Sequence, residues 1–212
     1  LGRLFGELLV HPAAKAEIDG HPEIRVVHAD ATTTNATGEV WHSDLSCQPE
    51  PPMGSILYMH ETPDVGGDTA FANMYLAYEK LSQPIQKLCE GLKALHTSAH
   101  VFSRDAYGRS DKTFPEALHP VVRTHPVTGR KCLFVNRGFT VRIEGLKKHE
   151  SDALLEMLLR HSETPEFQCR FKWRKHSVAF WDNRCALHRA TFDYWPAVRH
   201  GHRVQIRGDR PV

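Results

Sequence analysis

Short apolar runs separated by turn clusters constrain the fold of this chain more than any other sequence feature. Three clusters favour turns: Pro51-Pro52-Met53-Gly54, Gly66-Gly67-Asp68 and Pro126-Val127-Thr128-Gly129. The apolar and β-branched runs that predict strands are Glu23–His28, Ser55–His60, His119–His125, Cys132–Asn136, Phe167–Trp173, Ser177–Trp181 and His202–Arg207. Many short strands of this kind predict a mainly β fold, a barrel or jelly roll, with helical insertions.

Three segments have helical rather than strand-like spacing. Met74–Leu81 is followed, after a break at Pro84, by Ile85–Leu92, and Ser82 is placed to cap the second helix. Ser151–His161 is the clearest amphipathic segment. These helices are too few to change the predicted fold class.

Length and composition predict one ordinary globular domain, residues 1–212. A net charge of +2, with no basic run, argues against a nucleic-acid partner. No window has the roughly 18 consecutive apolar residues that a membrane span needs. The cysteines are odd in number, widely spaced and without a CxxC pair, at positions 47, 89, 132, 169 and 185. This pattern predicts reduced thiols and a cytoplasmic protein, with self-association into a homo-oligomer left open.

The stretch Trp41-His42-Ser43-Asp44 suggests part of a metal site. On a strand, His42 and Asp44 would point to the same face, and an imidazole with a carboxylate supplies two ligands of a 2-His-1-carboxylate iron site. The motif alone carries little weight, because a chain with 15 histidines forms such pairs by chance, and His28-Ala29-Asp30 is a second one. Only the wider sequence can therefore show which of the two His-x-Asp pairs belongs to a metal site.

Candidate partners lie near the C-terminus. His188 follows an apolar run and is expected at a strand end or loop start, where an isolated histidine is more often solvated than a ligand. Arg199 and Arg203 would share one face of a continuous final strand. If that face is buried, the two guanidinium groups require an anion; otherwise they are surface residues.

Several stretches together resemble the taurine dioxygenase family of Fe(II)/2-oxoglutarate-dependent oxygenases, in order and over nearly the whole chain. They are Trp41–Asp44, Gly66–Thr69, Leu118–Pro126, Leu133–Asn136, Trp181–His188 and Ile206–Pro211. The resemblance implies a double-stranded β-helix, or jelly roll. It also implies that the chain lacks the N-terminal portion of the family.

The resemblance assigns residues to cofactors. His42, Asp44 and His188 match the iron ligands, which leave positions for 2-oxoglutarate and O2. Arg199 matches the arginine that binds the distal carboxylate of 2-oxoglutarate, and Thr69 matches a threonine that helps to hold it. The implied reaction converts 2-oxoglutarate to succinate and CO2 while a substrate C–H bond is hydroxylated. The His28-Ala29-Asp30 pair matches no functional residues of the family.

The resemblance also implies a substrate site. His11 and Arg203 match a pair that binds the sulfonate of taurine. Apolar walls match Leu45, Phe102 and Phe139. Two polar contacts to taurine are missing, because Ala14 replaces a tyrosine and Gly38 replaces the asparagine that meets the amine.

Losing such hydrogen bonds costs about 1–3 kcal/mol each. The expected substrate is therefore a small anion such as an alkyl sulfonate, a sulfate ester or an aryloxyalkanoate, and taurine is disfavoured.

Two other classes of function remain open on the sequence. A zinc hydrolase could use the same two histidines and the aspartate, but it would not need Arg199. A non-catalytic jelly-roll module could retain the pocket and bind a metal or an anion without turnover. An Arg199→Ala variant that keeps activity would favour the hydrolase.

Overall fold

The computed structural model describes residues 1–11, 18–34, 38–99 and 114–212. Its strands are β1 Leu8–Leu9, β2 Arg25–Ala29, β3 Gly54–Glu61, β4 Thr69–Asn73, β5 Lys93–Thr97, β6 Glu116–Pro120, β7 Val122–Thr124, β8 Lys131–Leu133, β9 Thr140–Ile143, β10 Gln168–Phe171, β11 Val178–Asp182, β12 Ala186–Ala190 and β13 Arg199–Ile206. Its α-helices are α1 Met74–Glu79, α2 Gln83–Cys89 and α3 Lys148–Ser162, and short 3-10 turns cover Gly2–Leu4 and Pro165–Phe167.

The largest sheet is organised around β13. This strand pairs with β3 along one edge, and with β2 and then β1 along the other, while β11 extends the sheet beyond β3. Every pair is antiparallel. A shift in register between His200 and Gly201 marks a bulge against β3. The C-terminal strand is therefore the centre of the sheet rather than its edge.

A second sheet, in the order β10-β4-β12, faces the first. A buried cluster joins their inner faces: Leu57 and Trp181 from the large sheet pack with Phe71 of β4 and Phe171 of β10. Two antiparallel sheets packed in this way form the jelly roll that the sequence predicted. The space between the sheets is where the candidate ligands converge.

The helices and smaller sheets build a separate core against the second sheet. The sheet β6-β5-β9 and the β7–β8 hairpin enclose this core together with α1 and α3. Asn73 begins α1, and its side chain accepts hydrogen bonds from the backbone N–H groups of Tyr75 and Leu76. Ser82 occupies the predicted cap position before α2, but its hydroxyl makes no capping bond.

All the predicted strand runs contain strands, and the predicted hairpin joins β7 to β8 across residues 125–130. The expectation for His188 was wrong: it lies in the middle of β12. The assumption that His42 and Asp44 share a strand was also wrong. His42 forms an isolated bridge, and Asp44 begins a turn.

All five cysteines are free thiols. Of the helices in the described ranges, none has the combination of length and apolar character needed to cross a bilayer.

Candidate metal centre and anion pocket

Backbone pairing brings the two candidate histidine ligands together. The N–H of His42 donates to the carbonyl of His188 at 3.0 Å, and the reverse bond measures 2.8 Å. Their rings lie with centroids 4.1 Å apart. Asp44 enters from the turn that follows His42, so a bridge and a turn, rather than one strand, align the three side chains.

The three ligand atoms are spaced as one ion requires. The Nε2 atoms of His42 and His188 each lie 3.7 Å from Oδ1 of Asp44, and all three ligand atoms fall within 4.8 Å of one another. A metal bound at about 2.0–2.2 Å from each atom separates neighbouring ligand atoms by roughly 3–3.6 Å. Two imidazoles and one carboxylate therefore fit a divalent metal after only small movements.

Hydrogen bonds prepare two of the ligands. Nδ1 of His42 donates to the carbonyl of Val40 at 2.7 Å, which leaves the lone pair on Nε2 facing the other ligands. Ser55 donates its hydroxyl to Oδ2 of Asp44 at 2.6 Å, which leaves Oδ1 for the metal. Asn183 in turn donates to the Ser55 hydroxyl at 3.1 Å.

The electrostatic field keeps both buried ligands in their metal-binding protonation states. Burial raises the pKa of Asp44, but Arg203 and the two imidazoles outweigh it and hold that pKa well below its usual range. Burial, followed by repulsion from His42, lowers the pKa of His188 to about 3. An ionised carboxylate and a neutral imidazole are the forms that coordinate a metal.

A cavity of about 200 Å³ opens beside the triad. His42 and His188 line it, together with the predicted cofactor residues Thr69 and Arg199 and the predicted substrate residue Arg203. The structure therefore brings residues from distant parts of the sequence to one cavity. Arg25 lines the same cavity but was not predicted from the sequence; its pairing opposite Arg203 could have indicated it only after the strand register was known.

Arg199 is buried, and neighbouring groups hold its side chain in place. No carboxylate within the described ranges pairs with its charge. Its Nε donates to the carbonyl of Gly67 at 3.1 Å, and its guanidinium carbon lies 5.6 Å from the ring centre of Trp173. Trp173 also donates its indole N–H to Thr69 Oγ1 at 2.9 Å, so the Thr69 hydroxyl hydrogen can point to an acceptor in the cavity. A carboxylate ligand would satisfy both groups.

His11 and Arg203 both lie near Asp44, but they have different hydrogen-bond partners. Arg203 donates to Asp44 Oδ1 at 3.2 Å. His11 is buried, and its Nδ1 lies 3.1 Å from a guanidinium nitrogen of Arg25. Burial, followed by the charges of Arg25 and Arg203, lowers the pKa of His11 to about 4, so the ring is neutral at pH 7.

The remaining predicted substrate residues have different positions. Leu45 and Phe139 are buried but are not among the described side chains that line the cavity. Leu45 adopts φ 47°, an uncommon conformation for a branched residue, directly after Asp44. Phe102 and Ala14 fall outside the described residues. Gly38 lines the cavity, with φ +89°, and a Cβ there would approach His42 Cε1 to 3.3 Å.

Two other groups of polar side chains have structural partners. In the second His-x-Asp pair, the exposed His28 contacts Asp30 at 3.2 Å. His125, Asp182 and Cys185 are also close enough to hold a metal. However, Asp182 already accepts from His125 and from Arg184, and the other nitrogen of His125 accepts two backbone N–H groups. This second group is a satisfied hydrogen-bond network.

The fold and the site together define a class of protein: a jelly roll in which two histidines and one aspartate fit a metal beside an arginine-lined cavity. The family model for taurine catabolism dioxygenases, TauD and TfdA, matches residues 1–205. The chain belongs to the TauD/TfdA family.

Two curated relatives show the range of the family. An alpha-ketoglutarate-dependent sulfonate dioxygenase of Saccharomyces cerevisiae is 35% identical over 227 residues, which cover 100% of this chain and 54% of the yeast protein. An alpha-ketoglutarate-dependent sulfate ester dioxygenase of Pseudomonas putida is 31% identical over 221 residues, covering 99% of this chain and 72% of that protein. The chain thus spans about half the length of the yeast relative.

Solved structures share the fold closely. A taurine dioxygenase from Burkholderia xenovorans is 37% identical with a TM-score of 0.83, over 99% of this chain and 71% of that one. AAD-2, solved in complex with Mn(II) and N-oxalylglycine, is 32% identical with a TM-score of 0.73, over 82% of this chain and 70% of that one.

Proposed function

We propose that this chain is an Fe(II)- and 2-oxoglutarate-dependent dioxygenase that hydroxylates a C–H bond of a small organic anion, giving succinate and CO2. One observation carries the proposal: the His42–Asp44–His188 triad opens onto the same cavity as the buried guanidinium of Arg199. A metal and a carboxylate-binding cation at one cavity are what a bidentate 2-oxo acid with a distal carboxylate requires. The names of the relatives support the same chemistry.

The side chains have separable roles in this proposal. His42, Asp44 and His188 would hold Fe(II), and the iron with O2 and 2-oxoglutarate supplies the oxidising chemistry. Arg199 and Thr69 would bind the distal carboxylate, with Trp173 fixing both of them. Trp181, buried beside His188 with ring centroids 4.8 Å apart, limits the access of water to the triad.

The substrate in this proposal is an alkyl sulfonate, a sulfate ester or an aryloxyalkanoate, bound through Arg203 and His11. The arginines that line the cavity favour an anion. Relatives named for sulfonates, sulfate esters and 2,4-dichlorophenoxyacetate cover these three classes. Gly38 offers no side chain to an amine, which disfavours taurine. Leu45, Phe102 and Phe139 remain proposed apolar walls, and the reduced thiols favour a cytoplasmic location.

Anaerobic addition of Fe(II) and 2-oxoglutarate tests the class of reaction. The wild-type chain should develop the visible metal-to-ligand charge-transfer band of a chelated 2-oxo acid. Arg199→Ala should weaken 2-oxoglutarate binding by about tenfold or more, because a buried charged partner is lost. Arg207→Ala is the matched control, since Arg207 is exposed just beyond β13 and pairs with Glu7.

Two outcomes would contradict the proposal. A folded wild-type chain that forms no band would exclude the oxygenase and leave a metal- or anion-binding module. Zinc-supported hydrolysis that survives Arg199→Ala would favour a zinc hydrolase.

Succinate formation with a panel of substrates tests the substrate class. Butanesulfonate, a hexyl sulfate ester and phenoxyacetate should each stimulate succinate release more than taurine does. If taurine gave the highest kcat/KM of the panel, the inference from Gly38 would be wrong.

A further inference from the structure

The outer face of the large sheet carries a group of imidazoles that the triad does not use. We name it the outer histidine cluster: His28 of β2, His60 of β3, and His200 and His202 of β13. Side chains alternate along β13, so His200 and His202 lie on the face opposite to Arg199 and Arg203, which line the cavity. His60, His200 and His202 therefore lie across the sheet from the anion pocket, whereas His28 also borders the cavity.

The rings in this cluster are in direct contact. Nε2 of His60 and Nδ1 of His202 are 3.0 Å apart. The ring centroids of His60 and His202 are separated by 4.3 Å, those of His200 and His202 by 5.4 Å, and those of His60 and His200 by 5.5 Å. His28 lies 5.3 Å from His200 on the next strand. Three imidazoles thus form a triangle, and a fourth lies beside it.

The ring separations of 4.3–5.5 Å lie just outside those of imidazoles that share one ion, so the rings would have to shift by a few tenths of an ångström to bind one. Ligand nitrogens bound at about 2.0–2.1 Å lie roughly 3–3.4 Å apart, and the ring centroids then lie roughly 4.5–5.2 Å apart. The His60–His202 nitrogen pair already has the required separation. As placed, His200 does not bring a ring nitrogen within 4.8 Å of both partners, so it joins them only by turning its ring. No hydrogen-bond partner among the described atoms holds its buried Nδ1 against that turn.

The protonation state suits a metal as well. Burial, followed by the neighbouring His28 and His60, lowers the pKa of His200, and burial followed by His60 and His200 lowers the pKa of His202. Both rings are therefore neutral at pH 7 and offer lone pairs. A donor set of imidazoles selects Zn²⁺, Ni²⁺ or Cu²⁺ over Mg²⁺ and Ca²⁺, which prefer oxygen ligands.

We propose that His60, His200 and His202 form a second metal site, independent of the His42–Asp44–His188 triad, for a divalent transition metal that prefers nitrogen ligands. His28 is placed to stabilise the site through its contact with His200. The simplest competing explanation is that His60 and His202 only share an imidazole–imidazole hydrogen bond. The two explanations differ in metal stoichiometry, which can be measured without any substrate.

A calorimetric titration of the purified full chain with Ni²⁺ separates the two sites. The wild-type chain should bind two equivalents. Asp44→Asn should abolish binding at the triad, and His60→Gln combined with His202→Gln should abolish binding at the outer site, so each should leave one equivalent. All three substitutions together should leave none. His149→Gln, an exposed histidine on α3, is the matched control and should leave both equivalents.

Cu²⁺ bound to the Asp44→Asn variant provides the spectroscopic test. Its electron paramagnetic resonance spectrum should show hyperfine coupling to several imidazole nitrogens, and His200→Gln should reduce the number of coupled nitrogens by one. Because the cluster is partly exposed, these substitutions should leave the circular dichroism spectrum unchanged. One equivalent in the wild-type chain, or a Cu²⁺ spectrum unaffected by His60→Gln with His202→Gln, would overturn the proposal.

Discussion

Asp44 uses its two carboxylate oxygens for different partners. Oδ1 faces the Nε2 atoms of both ligand histidines and accepts from Arg203, whereas Oδ2 accepts from Ser55. This division fixes the orientation of the carboxylate before any metal arrives. The Ser55 hydroxyl is the contact that can be removed without touching a ligand.

Ser55→Ala should lower metal affinity by about 10- to 100-fold, as is usual when a residue that orients a metal ligand loses its hydrogen bond. Asp44 would then lose its buried donor on Oδ2 and rotate more freely. Titration with Mn²⁺ or Co²⁺ measures the effect.

Ser162→Ala is the control for this prediction. Ser162 is an equally buried serine whose hydroxyl donates to the Leu158 carbonyl within α3, far from the triad. Equal metal affinities for the two variants would show that the Ser55 bond does not orient Asp44.

At the scale of single residues, the sequence predicted the candidate ligands but not the residues that hydrogen-bond to them. His42, Asp44 and His188 converge as the resemblance implied. No local sequence pattern indicates the hydrogen bonds that Ser55 and Trp173 make. A serine in a strand or a tryptophan after one is common, and only the packed sheets bring Trp173 to Thr69.

Strand β13 is the element on which the site most depends. It pairs with three other strands and carries Arg199 and Arg203 toward the cavity. Between these arginines, Gly201 faces β3 at a distance too short for a side chain: a Cβ there would meet the Tyr58 carbonyl at 2.5 Å and Met59 Sδ at 2.6 Å. The glycine permits β13 to approach β3 at the bulge.

Gly201→Ala should therefore force β13 away from β3 and displace both arginines. We expect a loss of about 1–3 kcal/mol in the free energy of unfolding, as for other overpacked sites, and weaker 2-oxoglutarate binding. Thermal unfolding and the charge-transfer titration measure the two effects.

Gly129→Ala distinguishes displacement of the strand from ordinary backbone strain. Gly129 has φ +69° in the β7–β8 turn and no neighbour within 4 Å of its ideal Cβ. Its substitution should lower Tm through backbone strain alone while leaving the Kd for 2-oxoglutarate unchanged. A Gly201→Ala variant with an unaltered Kd would contradict the role given to β13.

The elements that sequence reasoning missed share a physical cause. The predicted runs did not include β1, β4, β5, β9 or β12. β4 and β12 follow turns and are only partly apolar, so their patterns did not stand out. β12 becomes a strand because β4 pairs with all of it, a contact between residues far apart in the chain. The more continuously apolar runs of β3 and β11 carried a local signal and were predicted.

Across the whole molecule, histidines buried in the neutral form are a source of acid sensitivity. Burial, followed by His119, lowers the pKa of His96 to about 3, and the pKa of His11 lies at about 4. Below pH 6.5 the unfolded chain binds protons at these positions and the native chain does not. The contribution of these neutral histidines to the free energy of unfolding is therefore fully present above pH 6.5 and is lost as the pH falls toward 4.

Urea unfolding at pH 7.5, 6.5 and 5.5 should show this loss. Each buried histidine contributes up to about 1.4 kcal/mol per pH unit in this range. His96→Gln should lower the slope of the free energy of unfolding against pH by the equivalent of about one proton, relative to the wild-type chain in the same buffers. Equal free energies of unfolding at pH 7.5 and 5.5 would refute the assignment.

The backbone bridge between His42 and His188 also determines when the site can exist. The two histidines are separated by more than half of the chain, yet each supplies a hydrogen bond to the other. During synthesis His42 and Asp44 emerge long before His188, and the cavity residues Arg199 and Arg203 emerge later still. If the triad binds the proposed metal, the ion can be loaded only after the C-terminal strands are made, and it would then connect distant parts of the chain as a long-range cross-link does.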